Sequence, residues 1–270
     1  GEYPPAGAAA AALAGRPGPG TAARRGPGGP GSAVGLDIGG TKVLAAFLGS
    51  DGVARETLRL PTVRGPEGVV SSAARAVREV VRRACGDLAD VDGVGVGVPG
   101  LVDPADGSVV HAVNLGIEGG RFALAEALSA ELGGVPVQVD NDLNVAALGA
   151  SHLRGAEGED LAFLALGTGL AAGIVLGGEL RRGVSGAAGE IGHIPIDPRG
   201  PECACGQRGC VEVYASGSAV SARWPSRHGR PAPAELFEAA AAGDPDAIRI
   251  KDEFASAVAS AVRILELTVD

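Results

Sequence analysis

The sequence predicts an α/β protein that contains the same small β-unit twice. In each copy a short apolar strand ends in a glycine–threonine turn, a second apolar strand follows, and a tight turn leads to a third strand. The copies begin near Val34 and Leu161, about 130 residues apart. Internal repetition of this kind is typical of a duplicated α/β domain. A chance likeness between two glycine-rich hairpins is the alternative, and the pattern alone does not exclude it.

Composition limits what this fold can be. The chain has 270 residues, of which 46% are hydrophobic and 3% aromatic, so valine, leucine, isoleucine and alanine must fill a sizeable core. This length suits one large or two ordinary domains. The formal net charge of −9 and the lack of a large basic patch argue against nucleic acid as a partner. No apolar run approaches the roughly 18 residues that a membrane helix needs.

The first 33 residues differ from the rest of the chain. Glycine, alanine, proline and arginine dominate residues 1–33, and no periodicity is visible there. We therefore expect a disordered tail. The apolar stretch 8–14 follows Glu2 rather than a basic segment, so a signal peptide is not expected. The chain contains no methionine, which suggests that its start is that of a fragment.

The first copy alternates strands and helices. Residues 34–37, 43–48 and 53–60 are predicted to form an antiparallel meander, with Gly39-Gly40-Thr41 at its first bend and Asp51-Gly52 at its second. Further strands are predicted at 91–98 and 135–139, and helices at 66–84, 121–132 and 143–153.

The second copy follows the same order. Its strands are predicted at 161–166, 171–176 and 179–182, with Gly167-Thr168-Gly169 at the first bend and Gly177-Gly178 at the second. Helices are predicted at 235–242 and 246–267, and residues 265–269 are expected to enter a new strand. We expect an N-terminal domain over residues 34–140 and a C-terminal domain over 141–270 that is incomplete at Asp270.

A cluster of metal-ligand residues lies within residues 189–212, which contain three of the four cysteines and one of the four histidines. His193, Cys203, Cys205 and Cys210 form the ligand set of a tetrahedral zinc site. Free structural thiols, or a disulfide with one thiol left over, are the alternative. The fourth cysteine, Cys85, lies far away in a helical pattern, so an even disulfide framework is not expected. Thiolate ligands also favour a reducing, cytoplasmic compartment.

Other residues indicate phosphate chemistry. Glycines in a strand-to-strand turn let backbone N–H groups approach phosphate oxygens, and Thr41 and Thr168 add hydroxyl donors. Asp37 precedes the first turn and is placed to hold Mg²⁺ directly or through water. Asp142 follows a buried strand, where a carboxylate can accept a proton from a hydroxyl nucleophile. Capping of the next helix is an equally good role for Asp142, so both stay open.

The following segments occur in order along residues 34–270: Leu36-Asp37-Ile38-Gly39-Gly40-Thr41-Lys42, Val98-Pro99-Gly100, Asn114-Leu115, Asn141-Asp142, Gly167-Thr168-Gly169, Gly189-Glu190-Ile191-Gly192-His193 and Cys203-Ala204-Cys205-Gly206-Gln207-Arg208-Gly209-Cys210-Val211-Glu212. In this order they resemble the ROK family, which contains repressors, uncharacterised open reading frames and sugar kinases. The histidine and three cysteines between Glu190 and Glu212 are its most specific part. The resemblance implies duplicated actin-like (ribonuclease-H-like) ATPase domains with a structural zinc loop.

The resemblance also implies roles for single residues. Asp142 matches the general base that accepts the proton of the sugar 6-hydroxyl. The implied substrate contacts are Asn114, Asn141, Asp142, Glu190, His193 and Glu212. The implied nucleotide contacts are Asp37, Gly39, Gly40, Thr41, Lys42, Gly167, Thr168 and Gly169. The implied zinc ligands are His193, Cys203, Cys205 and Cys210, which leave no open position for water.

These roles imply ATP-dependent phosphorylation of a hexose 6-hydroxyl, with glucose as the expected hexose and Mg²⁺ accompanying ATP. A homodimer or a dimer of dimers is also implied. The rival functions are a sugar-responsive transcriptional regulator and a sugar-binding pseudokinase. Residues 1–33 are too short and too rich in glycine and proline for a winged helix-turn-helix, which argues against DNA binding.

Three features depart from the family pattern. Leu170-Ala171-Ala172 replaces a glycine-rich continuation of the second turn, and its methyl groups are expected to crowd the nucleotide phosphates. Gly116-Ile117-Glu118 stands where an aromatic residue is common, so the sugar-specificity loop is expected to differ. The closing strand and the glycine-rich adenosine loop of the family lie beyond Asp270, which puts ATP affinity in question.

Overall fold

The computed structural model describes residues 31–84, 87–155, 158–184 and 186–269. The expected disordered tail falls outside these residues except for its last three positions, and so does Cys85. Contacts divide the chain into two compact units. The first contains Gly1–Leu161 and Val175–Ala187, and the second contains Ala162–Ile174 and Ala188–Asp270.

The first unit is built on a five-stranded mixed sheet. Its strands are β1 (Ser32–Ile38), β2 (Lys42–Leu48), β3 (Ala54–Pro61), β4 (Val91–Val98) and β7 (Val137–Asn141), in the order β3-β2-β1-β4-β7. The pairs β1/β2 and β2/β3 are antiparallel, as the predicted meander requires, whereas β1/β4 and β4/β7 are parallel. A separate hairpin joins β5 (Leu101–Asp103) to β6 (Ser108–Val110).

Three helices complete the first unit: α1 (Pro66–Ala84), α2 (Leu124–Glu131) and α3 (Asp142–Leu153). The core is made of small aliphatic side chains, as the composition predicts. Leu36 on β1, Val96 on β4 and Val77 on α1 are completely buried. Burial of one such side chain contributes about 1.5–3 kcal/mol. The one aromatic side chain buried in this core within the described residues is Phe47 on β2.

The repeated strands form a separate three-stranded sheet. These are β8 (Leu161–Leu166), β9 (Leu170–Leu176) and β10 (Glu179–Leu180), in the order β10-β9-β8. This order matches β3-β2-β1, so the predicted repetition is present in three dimensions. The second turn of the meander, Gly177-Gly178, has positive φ at both residues, which suits a tight hairpin. Contacts group β10 and the end of β9 with the first unit.

Three helices belong to the second unit: α4 (Gly217–Arg223), α5 (Ala232–Ala241) and α6 (Pro245–Val269). The expected strand at 265–269 is wrong, because α6 continues to Val269 with Ala257, Ala261 and Leu265 buried on one face. Buried residues four positions apart follow the helical period, and this period continues into residues 265–269, whose apolar and β-branched side chains had suggested a strand. No helix within the described ranges is long and apolar enough to cross a membrane.

Candidate active site and metal centre

The first glycine–threonine turn joins β1 to β2. Its backbone closes through Gly39 N–H, which donates to the Lys42 carbonyl at 2.9 Å. Thr62, just after β3, donates its hydroxyl to the Gly39 carbonyl at 2.7 Å. A Cβ on Gly40 would lie 2.6 Å from the backbone oxygen of Asn114, so only glycine fits there. The turn and Asn114 are therefore in direct contact. Thr62 supports the turn through its hydroxyl, a role that the sequence did not suggest.

Two carboxyl groups lie near this turn. Asp37 is on β1 and Asp142 begins α3, directly after β7. Because β1, β4 and β7 are parallel neighbours, both residues lie at the same end of the sheet. Burial raises the pKa of Asp142, and burial followed by the Asp142 carboxylate raises the pKa of Asp37. Lys42 opposes the rise at Asp37. A partly buried acid pair with raised pKa values is common at catalytic sites.

The start of α3 corrects one expectation. The residue that caps this helix is Asn141, not Asp142, because Asn141 Oδ1 accepts from the Leu143 and Asn144 N–H groups. Asn141 also donates Nδ2 to the Gly100 carbonyl at 3.0 Å. Asp142 Oδ1 accepts from Leu143 N–H at 2.9 Å. Asn141 is thus the N-cap, Asp142 makes one further bond to the first turn through Oδ1, and one amide N–H of Asn141 is left for another partner.

The second glycine–threonine turn belongs to the second unit. Gly167 N–H donates to the Gly169 carbonyl at 3.0 Å. The first turn of α4 packs on it, since the Gly217 and Ser218 N–H groups donate to the Gly167 and Thr168 carbonyls at 2.8 and 3.2 Å. These bonds fix the carbonyl side of the turn. The second turn is therefore a glycine loop at the end of β8 that backbone hydrogen bonds hold in place, and its local form is similar to that of the first turn.

A carboxylate connects this turn to the metal-ligand segment. Glu212 Oε2 accepts from the Leu170 N–H at 2.9 Å, and a Cβ on Gly169 would lie 2.4 Å from the same oxygen. Leu170 and Ala172 are buried in the core of this unit with Ile191 and Val211. Two of the three residues expected to crowd the phosphates therefore pack into this core, whereas Ala171 is half-buried.

The segment that carries Glu190 and His193 lies against β9. The Ala172 N–H donates to the Gly189 carbonyl at 2.8 Å. A Cβ on Gly189 would lie 1.8 Å from the Ala172 oxygen, and one on Gly192 would lie 2.0 Å from the Leu170 oxygen. Both positions therefore require glycine, which lets the backbone of this segment touch the strand. Glu190 remains exposed, and His193 is half-buried.

The predicted ligand residues come together in the second unit. The ligand atoms of His193, Cys203, Cys205 and Cys210 all lie within 4.8 Å of one another. Cys203 Sγ is 3.6 Å from His193 Nδ1, and Cys205 Sγ is 3.7 Å from Cys210 Sγ. Zn–S bonds of about 2.3 Å in a tetrahedron place sulfurs about 3.8 Å apart. The four side chains could therefore hold a tetrahedral metal ion.

The protonation of these thiols fits the same interpretation. Backbone and side-chain hydrogen bonds from Gln207 lower the pKa of Cys205 to about 6, so this thiol is ionised at neutral pH. Burial raises the pKa of Cys210 to about 12. A metal ion that binds here must displace the Cys210 proton, and metal binding is then coupled to pH.

The predicted site residues therefore form two local sets. In the first unit the structure brings together Asp37, Gly39, Gly40, Thr41, Lys42, Asn114, Asn141 and Asp142. In the second unit it brings together Gly167, Thr168, Gly169, Glu190, His193, Cys203, Cys205, Cys210 and Glu212.

Comparison with known proteins identifies relatives of this chain. A family model described as ROK family matches residues 33–270. Glucokinase from Streptomyces coelicolor is 38% identical over 224 residues, which cover 82% of this chain and 68% of that protein. N-acetylmannosamine kinase from Citrobacter koseri is 34% identical over 242 residues, which cover 88% of this chain and 80% of that protein.

Solved structures agree with this relationship. A ROK hexokinase from Thermus thermophilus superposes with a TM-score of 0.74 at 34% identity, covering 88% of this chain and 78% of that one. A ROK glucokinase from Streptomyces griseus in complex with glucose and AMPPNP superposes with a TM-score of 0.67 at 33% identity, covering 88% and 80%. The expected actin-like ATPase fold is confirmed, and the chain belongs to the ROK family.

Proposed function

We propose that this chain is an ATP-dependent hexose kinase of the glucokinase type, with Asp142 as its general base. The observation that carries this proposal is the partly buried pair of Asp37 and Asp142 beside the first glycine–threonine turn. Relatives named glucokinase and N-acetylmannosamine kinase support a sugar as the acceptor. Neither alternative function, a sugar-responsive regulator or a pseudokinase, requires an ionisable residue at position 142, whereas a kinase uses it as a base.

The reaction requires a proton acceptor next to the sugar hydroxyl. The hydroxyl oxygen forms a bond to the γ-phosphorus, the bond from that phosphorus to the bridging oxygen of ADP breaks, and the hydroxyl proton passes to Asp142. Burial raises the pKa of Asp142, which makes its carboxylate a stronger base than an exposed aspartate. Because phosphoryl transfer depends mainly on positioning and electrostatics, the base supplies only part of the rate.

In this proposal the glycine turns bind the nucleotide phosphates. Gly39, Gly40 and Thr41 present backbone N–H groups and a hydroxyl at the end of β1, and Lys42 adds a positive charge. Gly167, Thr168 and Gly169 play the same part in the second unit. Asp37 would hold Mg²⁺ directly or through water. The ion, when bound, neutralises charge on the β- and γ-phosphates.

The sugar hydroxyl contacts are proposed to be Asn114, Asn141, Glu190, His193 and Glu212, with Asp142 at the 6-hydroxyl. His193 Nδ1 faces Cys203, so Nε2 is the nitrogen left for a sugar hydroxyl. Glu212 uses Oε2 for the Leu170 N–H, which leaves Oε1 for the sugar. With zinc bound by His193 and the three cysteines, the metal would be structural, because four protein ligands leave no position for water.

Glucose is the proposed hexose, and a homodimer or a dimer of dimers in the cytoplasm is the proposed state of the enzyme. N-acetylmannosamine is the competing substrate, since relatives of both specificities match the chain at similar identity. Discrimination between the two sugars depends on the groups around the 2-hydroxyl. We expect the loop that contains Gly116, Ile117 and Glu118 to contribute to it.

The test is an assay of the purified protein with Mg-ATP against glucose, mannose, N-acetylglucosamine, N-acetylmannosamine and fructose. We expect glucose 6-phosphate as the main product. Asp142→Asn should lower kcat by about a hundredfold or more, whereas Asp252→Asn, at an exposed aspartate that pairs with Lys251, should not. Sugar binding without phosphorylation of any of the five sugars would favour the regulator or pseudokinase.

A further inference from the structure

A buried ion pair lies beside the segment that carries Asp142. Asp140, near the end of β7, is 2% exposed. Arg182, two residues after β10, donates to Asp140 Oδ2 through Nε at 2.8 Å and Nη2 at 2.5 Å. Both residues belong to the first unit. Neither is part of the glycine turns, the metal-ligand cluster or the proposed sugar contacts, so the pair needs its own explanation.

The other oxygen of this carboxylate holds the start of α3. Asp140 Oδ1 accepts from the Asn141 backbone N–H at 2.8 Å and from Asn144 Nδ2 at 2.9 Å. Asn144 in turn donates its backbone N–H to Asn141 Oδ1. Asp140 therefore makes four hydrogen bonds, and two of its partners lie on either side of Asp142 in the sequence. The backbone that carries Asp142 is fixed at both ends by one carboxylate.

The guanidinium sets the orientation of that carboxylate. A buried carboxylate without a charged partner is strongly disfavoured. Arg182 directs two N–H donors at one carboxylate oxygen, Oδ2, which leaves Oδ1 for Asn141 and Asn144. A lysine at position 182 would supply the charge but not the fixed pair of N–H donors that converge on Asp140 Oδ2. Loss of Arg182 would free Asp140 to rotate and so weaken its bonds to Asn141 and Asn144.

We propose that Arg182 is a positioning residue for catalysis, acting through Asp140 to hold Asp142 in line with the sugar hydroxyl. This inference rests on the proposed function, because it requires Asp142 to be the base. A misplacement of about 1 Å can lower a rate on the order of a hundredfold. In the part of the chain that the structure describes, the hydrogen bonds of Arg182 go to Asp140, which is not a proposed sugar or nucleotide contact. Its effect should therefore appear in kcat more than in KM.

The experiment compares Arg182→Gln with Arg182→Lys and with a matched control, Arg181→Gln. Arg181 is the neighbouring arginine, half-exposed, and its ion pair with Glu179 spans 3.6 Å. We expect Arg182→Gln to lower kcat roughly ten- to a hundredfold with the KM for ATP nearly unchanged. Arg182→Lys should recover part of the loss, and Arg181→Gln should match the unaltered protein. An equal loss in Arg181→Gln, or no loss in Arg182→Gln, overturns the inference.

A double substitution separates positioning from a general structural effect. If Arg182 acts through Asp142, Arg182→Gln should change the residual rate of the Asp142→Asn protein less than about twofold, because effects of coupled residues do not add. An equal loss in both backgrounds would mean that Arg182 acts elsewhere. Absence of sugar phosphorylation by the unaltered protein overturns the proposed function and this inference together. If the unaltered protein phosphorylates sugar and Arg182→Gln has the same kcat, this inference alone is overturned.

Amide hydrogen exchange provides a measurement independent of the reaction. In Arg182→Gln we expect faster exchange at Asn141 and Asn144, with exchange in β1 and in α6 unchanged. Unchanged exchange at these two amides overturns the inference whatever the kinetics show. If Arg182→Gln does not fold, Arg182→Lys is used for the same exchange and double-substitution measurements, because it keeps the buried charge paired.

Discussion

The two glycine–threonine turns have the same local form but different support. The first is held by Thr62 and by the backbone near Asn114, on a sheet that contains completely buried aliphatic side chains. The second is held by α4 and by Glu212, which extends from the metal-ligand loop. The duplicated motif is therefore supported by a hydrophobic sheet in one unit and by the loop of the metal-ligand cluster in the other. Treatments that remove metal should distinguish them.

Metal removal has the largest expected effect. Chelation, or Cys205→Ser at the exposed ligand of the cluster, should remove about one zinc per chain and abolish activity. The binding free energy of a structural zinc, about 10–16 kcal/mol in small domains, is largely folding free energy of its loop. Hydrogen exchange should rise in residues 189–212 and around Gly169 while β1 and β4 stay protected. Restoration of activity by added zinc is the control, and equal loosening of both turns would contradict the comparison.

Glu212→Ala should have the next largest effect. The substitution removes the acceptor for Leu170 N–H and one proposed sugar contact, so kcat/KM for sugar should fall about ten- to a hundredfold, as for supporting residues around metal sites. Zinc content should stay near one per chain. Glu202→Ala on the same loop is the matched control, since Glu202 is exposed and pairs only with Arg208 in the described structure. A normal sugar KM in Glu212→Ala would count against its role.

The glycines of the two turns should respond unequally to a methyl group. In Gly40→Ala the added Cβ meets the backbone oxygen of Asn114, whereas in Gly169→Ala it meets the end of the Glu212 side chain. A side chain can move aside more cheaply than a backbone. Gly40→Ala should therefore destabilise the protein by about 1–3 kcal/mol and raise the KM for ATP, with a smaller effect in Gly169→Ala. Thermal unfolding and initial rates check this, and the reverse order would be inconsistent with the geometry.

The smallest effect concerns pH. Because burial raises the pKa of Asp142, the acidic limb of the kcat profile should lie above 3.8, the ordinary value for aspartate. A raised pKa means that the folded state binds the proton more tightly than the unfolded state. Stability therefore falls as pH rises from 3.8 through the raised pKa, and stays lower above it. Asp142→Asn should then unfold at the same or a higher temperature than the unaltered protein at pH 7, with Asp252→Asn as control.

Much of the fold followed from local pattern. The meander β1-β2-β3 and its repeat were predictable because apolar strands alternate with glycine turns, and the metal ligands because their types and spacing are specific. The end of α6 was mispredicted, since Leu265 suits a strand as well as a helix and only its packing with Ala257 and Ala261 decides. The cap of α3 was assigned to the wrong neighbour because asparagine and aspartate cap equally well.

The supporting residues of the site could not be found in the same way. Thr62, Arg182 and the Leu170 contact of Glu212 act through partners 23 to 42 residues away in sequence. No periodicity records such contacts, because they depend on how the sheets bring distant segments together. The direction in which a side chain points also depends on packing between distant segments. Leu170 follows the second turn directly, and only the core of the unit shows that its side chain turns inward.

The position of Trp224 gives the molecule an intrinsic optical probe. It is the chain's single tryptophan, it ends α4, and the guanidinium of Arg227 lies 5.2 Å from its ring centroid. Its emission therefore reports on the second unit, whereas far-ultraviolet circular dichroism reports on helices and strands of both. Followed together during denaturation, the two signals would separate for a chain that unfolds unit by unit and coincide for one that unfolds in a single step.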